Sequence, residues 1–156
     1  MTFQLSDLQH LIRQLGPSFP EISSIVEEDS DSWQISFDAG PSIQLSWQEN
    51  SARALLCCAI GKPNGAHRES VFEKLLTMNV LLQGEFNLKL GLSSPEDDVI
   101  LMGELDSGTK SLEMLQAEIA DYLRFAARFS QLVNQPVIES DMEDLTHAIN
   151  FELQKA

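Results

Sequence analysis

The hydrophobic pattern between Glu69 and Leu105 constrains the fold more than any other part of the chain, because it changes its period at one glycine. Before Gly84 the apolar residues recur about every three or four positions, which indicates a helix. After Gly84 they alternate with polar or small residues, which indicates a half-buried strand. The alternating residues are Phe86, Leu88, Leu90 and Leu92. We therefore predict a helix that ends at Gly84 and a β-hairpin that turns at residues 93–98.

The predicted helix carries two apolar strips instead of one. The first strip consists of Val71, Leu75, Met78 and Leu82. The second strip lies beside it and consists of Phe72, Leu76 and Val80. A helix that covers a sheet in a monomer usually keeps a polar outer side, so a second apolar strip indicates a partner. We predict a homodimer whose interface includes this second strip; the alternative is a helix that is fully enclosed in the core.

Two predicted strands are apolar at every position, where a half-buried strand would be apolar at every other one. They run from Ala54 to Ile60 and from Val99 to Met102. Successive side chains of a strand point to opposite faces of the sheet. We therefore expect helices to cover one face of these strands and a partner to meet the other.

The N-terminal third predicts an amphipathic helix, a loop and two strands. The helix is capped by Thr2, ends at Gly16-Pro17 and carries an apolar side. That side consists of Leu5, Leu8, Leu11, Ile12 and Leu15. Prolines and an acidic run make residues 18–32 mostly loop, with at most a short strand around residues 22–26. Alternating residues from Trp33 to Phe37 and from Ile43 to Trp47 then predict two antiparallel strands.

The C-terminal third predicts a long helix, capped by Thr109 or Ser111, that ends near Gln135-Pro136. A last segment from Asp141 to Leu153 carries Leu145, Ile149 and Leu153 at helical spacing. We therefore predict one domain at residues 1–135 and a helical C-terminal extension at residues 136–156. The predicted fold class is α+β, in the order α-β-β-β-α-β-β-α, with an antiparallel sheet packed by helices.

Composition excludes several partners. The 156 residues carry a formal net charge of −14, and the ten lysines and arginines are scattered singly. Such a chain repels nucleic acid and anionic lipid, so we predict no nucleic-acid partner. Since no run approaches the roughly 20 apolar residues of a membrane span, we also predict no membrane insertion. The N-terminus lacks the basic and apolar regions of a signal peptide, so we expect a cytoplasmic protein.

The motifs that come nearest to catalytic ones are incomplete. Ser107 and Lys110 have the S-x-x-K spacing of penicillin-binding enzymes, but the other two elements of that site are absent from the sequence. Gly61 and Lys62 resemble the end of a phosphate-binding loop, but Pro63 stands where a serine or threonine should hold the metal. We therefore predict that the protein is not an enzyme.

The histidines and cysteines do not predict a cofactor or metal site. His10, His67 and His147 have no cysteine or carboxylate at the spacing of a metal site. Cys57 and Cys58 are adjacent in a strand, where their side chains point to opposite faces, so a disulfide between them would be strained. We expect two reduced, buried thiols and no cofactor.

Several of these elements together resemble the class I chaperones of bacterial type III secretion, the Tir chaperone or CesT-like family. The most specific likeness is the run Leu75–Gly84, followed by Leu88–Leu92 and the acidic turn. It is similar to the family's helix, which ends in an Asn-Leu-Leu type run and a glycine, and to the next strand, which ends in Gly-Leu. The likeness covers residues 2–135, whereas the long segment at 18–32 and the extension at 136–156 depart from the family pattern.

The resemblance implies a homodimer in the bacterial cytosol that binds the N-terminal chaperone-binding segment of secreted effector proteins. The chaperone keeps this segment extended and competent for secretion, and helps to target it to the secretion apparatus. The secretion ATPase or other apparatus components are further candidate partners, and no cofactor is implied. An extended client can pair with a sheet edge and place alternate side chains in pockets. We expect the effector-binding surface to include Trp47, Leu56, Cys58, Ile100 and Met102.

Two other functions stay open at this point. A non-catalytic regulatory or scaffold protein of the same small fold would also be acidic and dimeric. A small-molecule binding domain is the third possibility, and an enclosed apolar pocket would support it.

Overall fold

Three helices and six strands form the part of the chain that the computed structural model describes, which is residues 3–82, 87–94, 96–106, 108–109, 111–134 and His147. The helices are α1 (Leu5–Ser18), α2 (Arg68–Leu82) and α3 (Leu112–Asn134). The strands are β1 (Ile22–Asp29), β2 (Ser32–Phe37), β3 (Ile43–Gln48), β4 (Arg53–Gly61), β5 (Leu88–Leu92) and β6 (Val99–Glu104). The predicted α+β class is confirmed, with one strand more than predicted.

The six strands form one antiparallel sheet in the order β1-β2-β3-β4-β6-β5. The first four strands make a meander, and the hairpin of β5 and β6 joins it through β6. The two apolar strands, β4 and β6, therefore lie side by side in the middle of one half of the sheet. The edges of the sheet are β1 and β5.

Strand β1 shows that the prediction of a mostly irregular segment at residues 18–32 is wrong. The strand runs from Ile22 to Asp29 and pairs with β2, with a register shift near each end. Only Ile22 and Ile25 are partly buried, and the rest of the strand is exposed. The hydrophobic alternation is therefore too weak to reveal the strand, which depends on its pairing with β2.

The core lies between one face of the sheet, which we call the inner face, and the helices. Its largest fully buried side chains come from the helices and from strands β2, β3 and β6. They include Phe129, Leu8, Leu15, Ile35, Ile43, Leu45, Met78, Leu82 and Leu101. The predicted apolar side of α1 and the first apolar strip of α2 are buried in this core, apart from Leu5, which is partly buried.

The sequence predicted that α1 ends at Gly16-Pro17, but the helix continues to Ser18. The hydroxyl of Ser18 donates hydrogen bonds to the carbonyls of Gln14 (2.7 Å) and Leu15 (3.1 Å). These bonds satisfy carbonyl groups that the end of a helix leaves unpaired. A proline is tolerated so close to the end because few helical hydrogen bonds remain to be lost there.

Helix α3 begins as predicted, since Ser111 accepts a hydrogen bond from the N–H of Met114 at 3.2 Å. Several other predictions concern residues outside the described part of the chain. They are the cap at Thr2, the helix end at Gly84, the strand residue Phe86, the pair Ser107 and Lys110, and the extension at 136–156 apart from His147.

Tyr122 fixes α3 to the middle of the sheet. Its buried hydroxyl donates a hydrogen bond of 2.6 Å to the carbonyl of Leu101. The ring lies against Gly103, where a Cβ would approach Tyr122 to 2.9 Å, so glycine is needed for this close contact. Burial raises the pKa of Tyr122 well above its usual value. The phenol therefore stays neutral and acts as a hydrogen-bond donor.

Candidate functional site

The five predicted effector-binding residues do not form one surface. Trp47, Leu56 and Cys58 are only 5%, 2% and 4% exposed, because they lie on the inner face beneath the helices. Ile100 and Met102 lie on the opposite face, where Met102 is 37% exposed. In the folded chain Trp47, Leu56 and Cys58 are therefore not accessible to a client, whereas the two β6 residues are accessible, and the effector-binding surface itself stays a prediction.

The outer face of β4 and β6 carries an apolar surface that we call the outer patch. It consists of Leu55, Cys57, Ala59, Ile100 and Met102. Cys57 is the register partner of Met102, and Ala59 is the partner of Ile100. The alternating burial of β4 places Cys57 outward and Cys58 inward. The sequence could not reveal this sidedness, because both faces of these strands are apolar.

The outer patch borders a polar part of the same face. The outward side chains of β2 and β3 there are Gln34, Ser36, Gln44, Ser46 and Gln48. An open cleft of about 290 Å³ lies at the boundary and runs from Glu28 to Ile100. Because this cleft is open to solvent, it suits a polypeptide segment better than an enclosed small molecule.

The other side of the molecule has a cleft between α1 and the edge strand β1. Its volume is about 370 Å³, and Ile22, Ile25 and Trp33 give it an apolar floor. Strand β1 pairs only with β2, so its other edge is open in the described structure. The last three residues of β1, Glu27–Asp29, are acidic and exposed. An open edge beside an apolar cleft is what an added strand with alternating side chains requires.

The opposite edge of the sheet is closed at one position by a side chain. The side-chain amide of Asn79 in α2 donates a hydrogen bond to the carbonyl of Leu90 (2.9 Å) and accepts one from its N–H (2.8 Å). Both backbone groups of Leu90 therefore point away from β6, and they would be available to another strand if Asn79 were absent. The two edges of the sheet are thus not equivalent.

The predicted dimer strip lies on the surface of the single chain. Leu76 and Val80 are 67% and 71% exposed, and Phe72 is partly buried. The guanidinium of Arg68 lies 5.2 Å from the centre of the Phe72 ring, at cation–π distance. Leu81 is also exposed, and it belongs to neither of the two predicted strips. The strip is therefore available to a partner, and the homodimer stays a prediction.

The remaining reactive groups give little support to chemistry at this site. Burial raises the pKa of both thiols, Cys57 and Cys58, so little thiolate forms near neutral pH. Among the described residues, no three histidine, cysteine or carboxylate side chains are grouped so that they could hold a metal. No helix in the described part of the chain is long and apolar enough to cross a membrane.

The fold and these surfaces define a class of protein. It is a small acidic α+β protein whose described part has an open strand edge at β1, an apolar cleft beside that edge, and apolar surface that the described chain leaves uncovered. These are the features of a protein that binds an extended polypeptide. The chain belongs to the Tir chaperone protein (CesT) family, whose model matches residues 8–130. The family predicted from the sequence is therefore confirmed, and with it the chaperone class.

Three solved structures share the fold. The crystal structure of the ExsC-ExsE complex matches with a TM-score of 0.67 at 20% identity, over 83% of this chain and 95% of that chain. The HopA1-SchA chaperone-effector complex matches with a TM-score of 0.57 at 19% identity, over 82% of this chain and 98% of that chain. The ExoU-SpcU complex from the type III secretion system of Pseudomonas aeruginosa matches with a TM-score of 0.51 at 18% identity, over 69% of this chain and 87% of that chain. No curated protein matches the chain with statistical significance.

Proposed function

We propose that the protein is a type III secretion chaperone of the bacterial cytosol. It binds the N-terminal chaperone-binding segment of a secreted effector, holds that segment extended and keeps it competent for secretion. Membership of the Tir chaperone family supports the proposal. Further support comes from two neighbours of the same fold, one a chaperone-effector complex and the other a complex from a type III secretion system.

The contrast between the two sheet edges carries the proposal. The edge of β1 is open and borders the cleft lined by Ile22, Ile25 and Trp33. The edge of β5 is occupied at Leu90 by the amide of Asn79. A client strand that pairs with β1 gains backbone hydrogen bonds and places alternate apolar side chains in the cleft. We infer that β1 is the edge that receives the client.

The outer patch is our second proposed client contact. Ile100 and Met102 are accessible there, and the open cleft at Glu28 joins this face to the end of β1. A client that leaves β1 at its acidic end can therefore continue across the outer face. Ordering such a segment costs several kcal/mol, roughly 2 to 5, so a long apolar track is expected.

The homodimer is part of the same proposal. Two copies that meet through Phe72, Leu76 and Val80 would cover the exposed strip of α2. Removing a side chain such as Leu or Val from water is worth about 1.5 to 3 kcal/mol, so a few such residues from each copy could drive association. A dimer of this kind would offer two β1 edges to one client. The proposed role includes no enzymatic activity of the chain.

Affinity purification of the native protein from its own cytosol tests the proposal. We expect a secreted protein to co-purify, and a synthetic peptide of its N-terminal segment to bind the purified chaperone. Ile25→Ser should weaken this binding, because Ile25 faces the cleft. Val26→Ser is the matched control, since Val26 is its 53% exposed neighbour on the same strand and does not line that cleft.

Recovery of a soluble regulatory factor with no secreted protein would favour the regulatory or scaffold alternative. Unchanged peptide binding in both variants would show that β1 is not the client edge. Equal losses in the two variants would show that the cleft residue Ile25 has no special role in binding.

A further inference from the structure

The open edge of β1 could receive a second copy of the same strand as well as a client. An unpaired strand edge presents a row of free backbone N–H and C=O groups, and natural proteins protect such edges against pairing with one another. The β5 edge is occupied at Leu90 by the amide of Asn79. The protection of β1 lies in the side chains of the strand itself.

Three consecutive carboxylates stand at one end of β1. They are Glu27, Glu28 and Asp29, which we call the acidic end, and all three are exposed. Glu27 lines the apolar cleft beside α1 together with Ile25, so its side chain points towards the inner face. Glu28 points to the outer face, where its carboxylate accepts a hydrogen bond of 3.4 Å from the side-chain amide of Gln44. Charged side chains at an edge, and inward-pointing ones above all, oppose edge-to-edge pairing.

The register of β1 adds to this effect. Its pairing with β2 shifts between Ile22 and Ser24 and again between Glu27 and Asp29, so only residues 24–27 are in regular register. A strand that pairs with the regular part of β1 therefore comes close to Glu27.

Two copies of β1 meet a charge conflict in either direction. In a parallel pair the two acidic ends lie side by side, and like charges on neighbouring strands are destabilising. In an antiparallel pair through residues 24–27, Glu27 of one copy lies opposite or diagonal to Ile25 of the other. Its carboxylate then enters the apolar cleft of the second copy, and moving a carboxylate out of water without a cation costs free energy.

Arg13 does not remove this conflict. It lines the same cleft, one helical turn before Gly16, which faces Ile25. The cleft already contains the carboxylate of Glu27, so one positive charge there stands against one negative charge. A second Glu27 leaves an excess of negative charge, and the chains also repel each other, since each has a net charge of −14.

We propose that the acidic end of β1 prevents two copies of the chain from pairing through this edge, and so reserves the edge for a strand that is neutral or basic at the residues beside Glu27. The choice of client rests on the proposed function, whereas the block on self-pairing does not.

Removal of the three charges tests the block. The neutral variant carries Glu27→Gln, Glu28→Gln and Asp29→Asn, which keep the size of each side chain nearly unchanged. We would compare it with the parent by light scattering over a range of concentrations, with the purified, client-free protein. Its average mass should rise with concentration to about twice that of the parent or more, because an unprotected strand edge pairs with its own kind.

The matched control removes three charges from another exposed place. It carries Glu96→Gln, Asp97→Asn and Asp98→Asn in the turn between β5 and β6. Its net charge equals that of the neutral variant, and it should keep the mass of the parent at every concentration. Equal association of the two variants would overturn the proposal, because net charge and not the position of the carboxylates would then decide.

Two measurements locate the contact. Amide hydrogen exchange of residues 22–29 should slow in the neutral variant as its concentration rises, because the free backbone groups of β1 become paired. Adding Ile25→Ser to the neutral variant should bring its mass back to that of the parent, since the cleft loses apolar surface.

A neutral variant that keeps the mass of the parent would overturn the proposal. Association without added protection of residues 22–29 would also overturn it, since the contact would then lie on another surface. No effector enters these experiments, so their failure would leave the proposed function standing.

Discussion

The side chain of Asn79 acts as a strand partner for Leu90. Its amide makes both hydrogen bonds that the Leu90 backbone would otherwise offer to another strand, at 2.8 and 2.9 Å. A helix thus closes the edge of β5 at this position without adding a strand. Natural sheets protect their edges in several ways, and coverage by a helix is one of them.

Replacing Asn79 by leucine should lower stability and open the edge. Two partly buried backbone groups of Leu90 would lose their partners, which we expect to cost about 1 to 3 kcal/mol. Chemical denaturation would measure the loss, and light scattering would show association that grows with concentration. Thr77→Ala is the control on the same helix, because the exposed Thr77 hydroxyl bonds only the carbonyl of Glu73. Equal stability of the Asn79 variant and the parent would contradict the role of this side chain.

The variant Leu76→Asp should run as a monomer or aggregate. A carboxylate buried in an apolar interface without a partner costs several kcal/mol, roughly 3 to 5. Sedimentation or light scattering at micromolar concentration would report the change from a dimer. Thr77→Asp adds the same charge to an exposed position away from the strip and should leave the dimer intact. A monomeric parent protein would show that the strip has another role.

Client affinity should depend on the outer patch and be nearly independent of salt. Ile100→Asp should weaken the binding of the client peptide while dimerisation is retained, because the dimer strip lies on α2. Gln48→Asp, on the polar part of the same face, should bind as the parent does. Apolar contacts and strand pairing are not screened, so affinity should change little as the Debye length falls from about 10 to about 3 Å. A collapse of affinity near 1 M salt would point to the acidic surface as the main attraction.

Stability should fall at alkaline pH because of Tyr122 and Cys58. Burial raises the pKa of both groups in the folded chain, so the unfolded chain releases their protons first. The two groups contribute fully to the free energy of unfolding below their pKa values in the unfolded chain, which are about 8.5 for cysteine and about 10 for tyrosine. This contribution is lost as the pH rises beyond those values.

The variant Tyr122→Phe separates the hydrogen bond from the titration. Its free energy of unfolding at pH 7 should be about 1 kcal/mol lower than that of the parent, because the buried carbonyl of Leu101 loses its hydrogen-bond donor. It should also lose less stability than the parent between pH 9 and about 11, since no phenol remains to ionise. Urea denaturation across this range would measure both effects. If the free energies of unfolding of variant and parent fall in parallel as the pH rises, Tyr122 does not contribute to the loss of stability at alkaline pH.

Local patterns in the sequence were sufficient wherever one face of an element is apolar and the other is polar. The burial of Trp33, Ile35 and Phe37 in β2 follows directly from their alternation. The exposed strip of α2 was also predictable, because helical geometry separates Leu76 and Val80 from the buried strip by a fixed angle.

The predictions from the sequence failed where the hydrophobic pattern does not show which face of a strand is buried. In β4 and β6 both faces are apolar, so the sequence could not tell whether Cys57 or Cys58 points to the core, and the candidates Leu56 and Cys58 lie on the covered face. Trp47 also lies on that face, although the alternation in β3 already indicated that its side chain is buried. In β1 the pattern is weak, because an exposed edge strand buries few side chains.

The sequence by itself determined the class of fold, the family and the presence of apolar surface beyond the needs of one core, because periodicity and composition are local properties. Only the tertiary structure decided which face of each apolar strand is covered, which described sheet edge is open, that Asn79 occupies the other edge at Leu90, and that α3 ends against the end of β4. These depend on contacts between residues far apart in the chain, such as Asn134 with Ile60, and no local pattern specifies them.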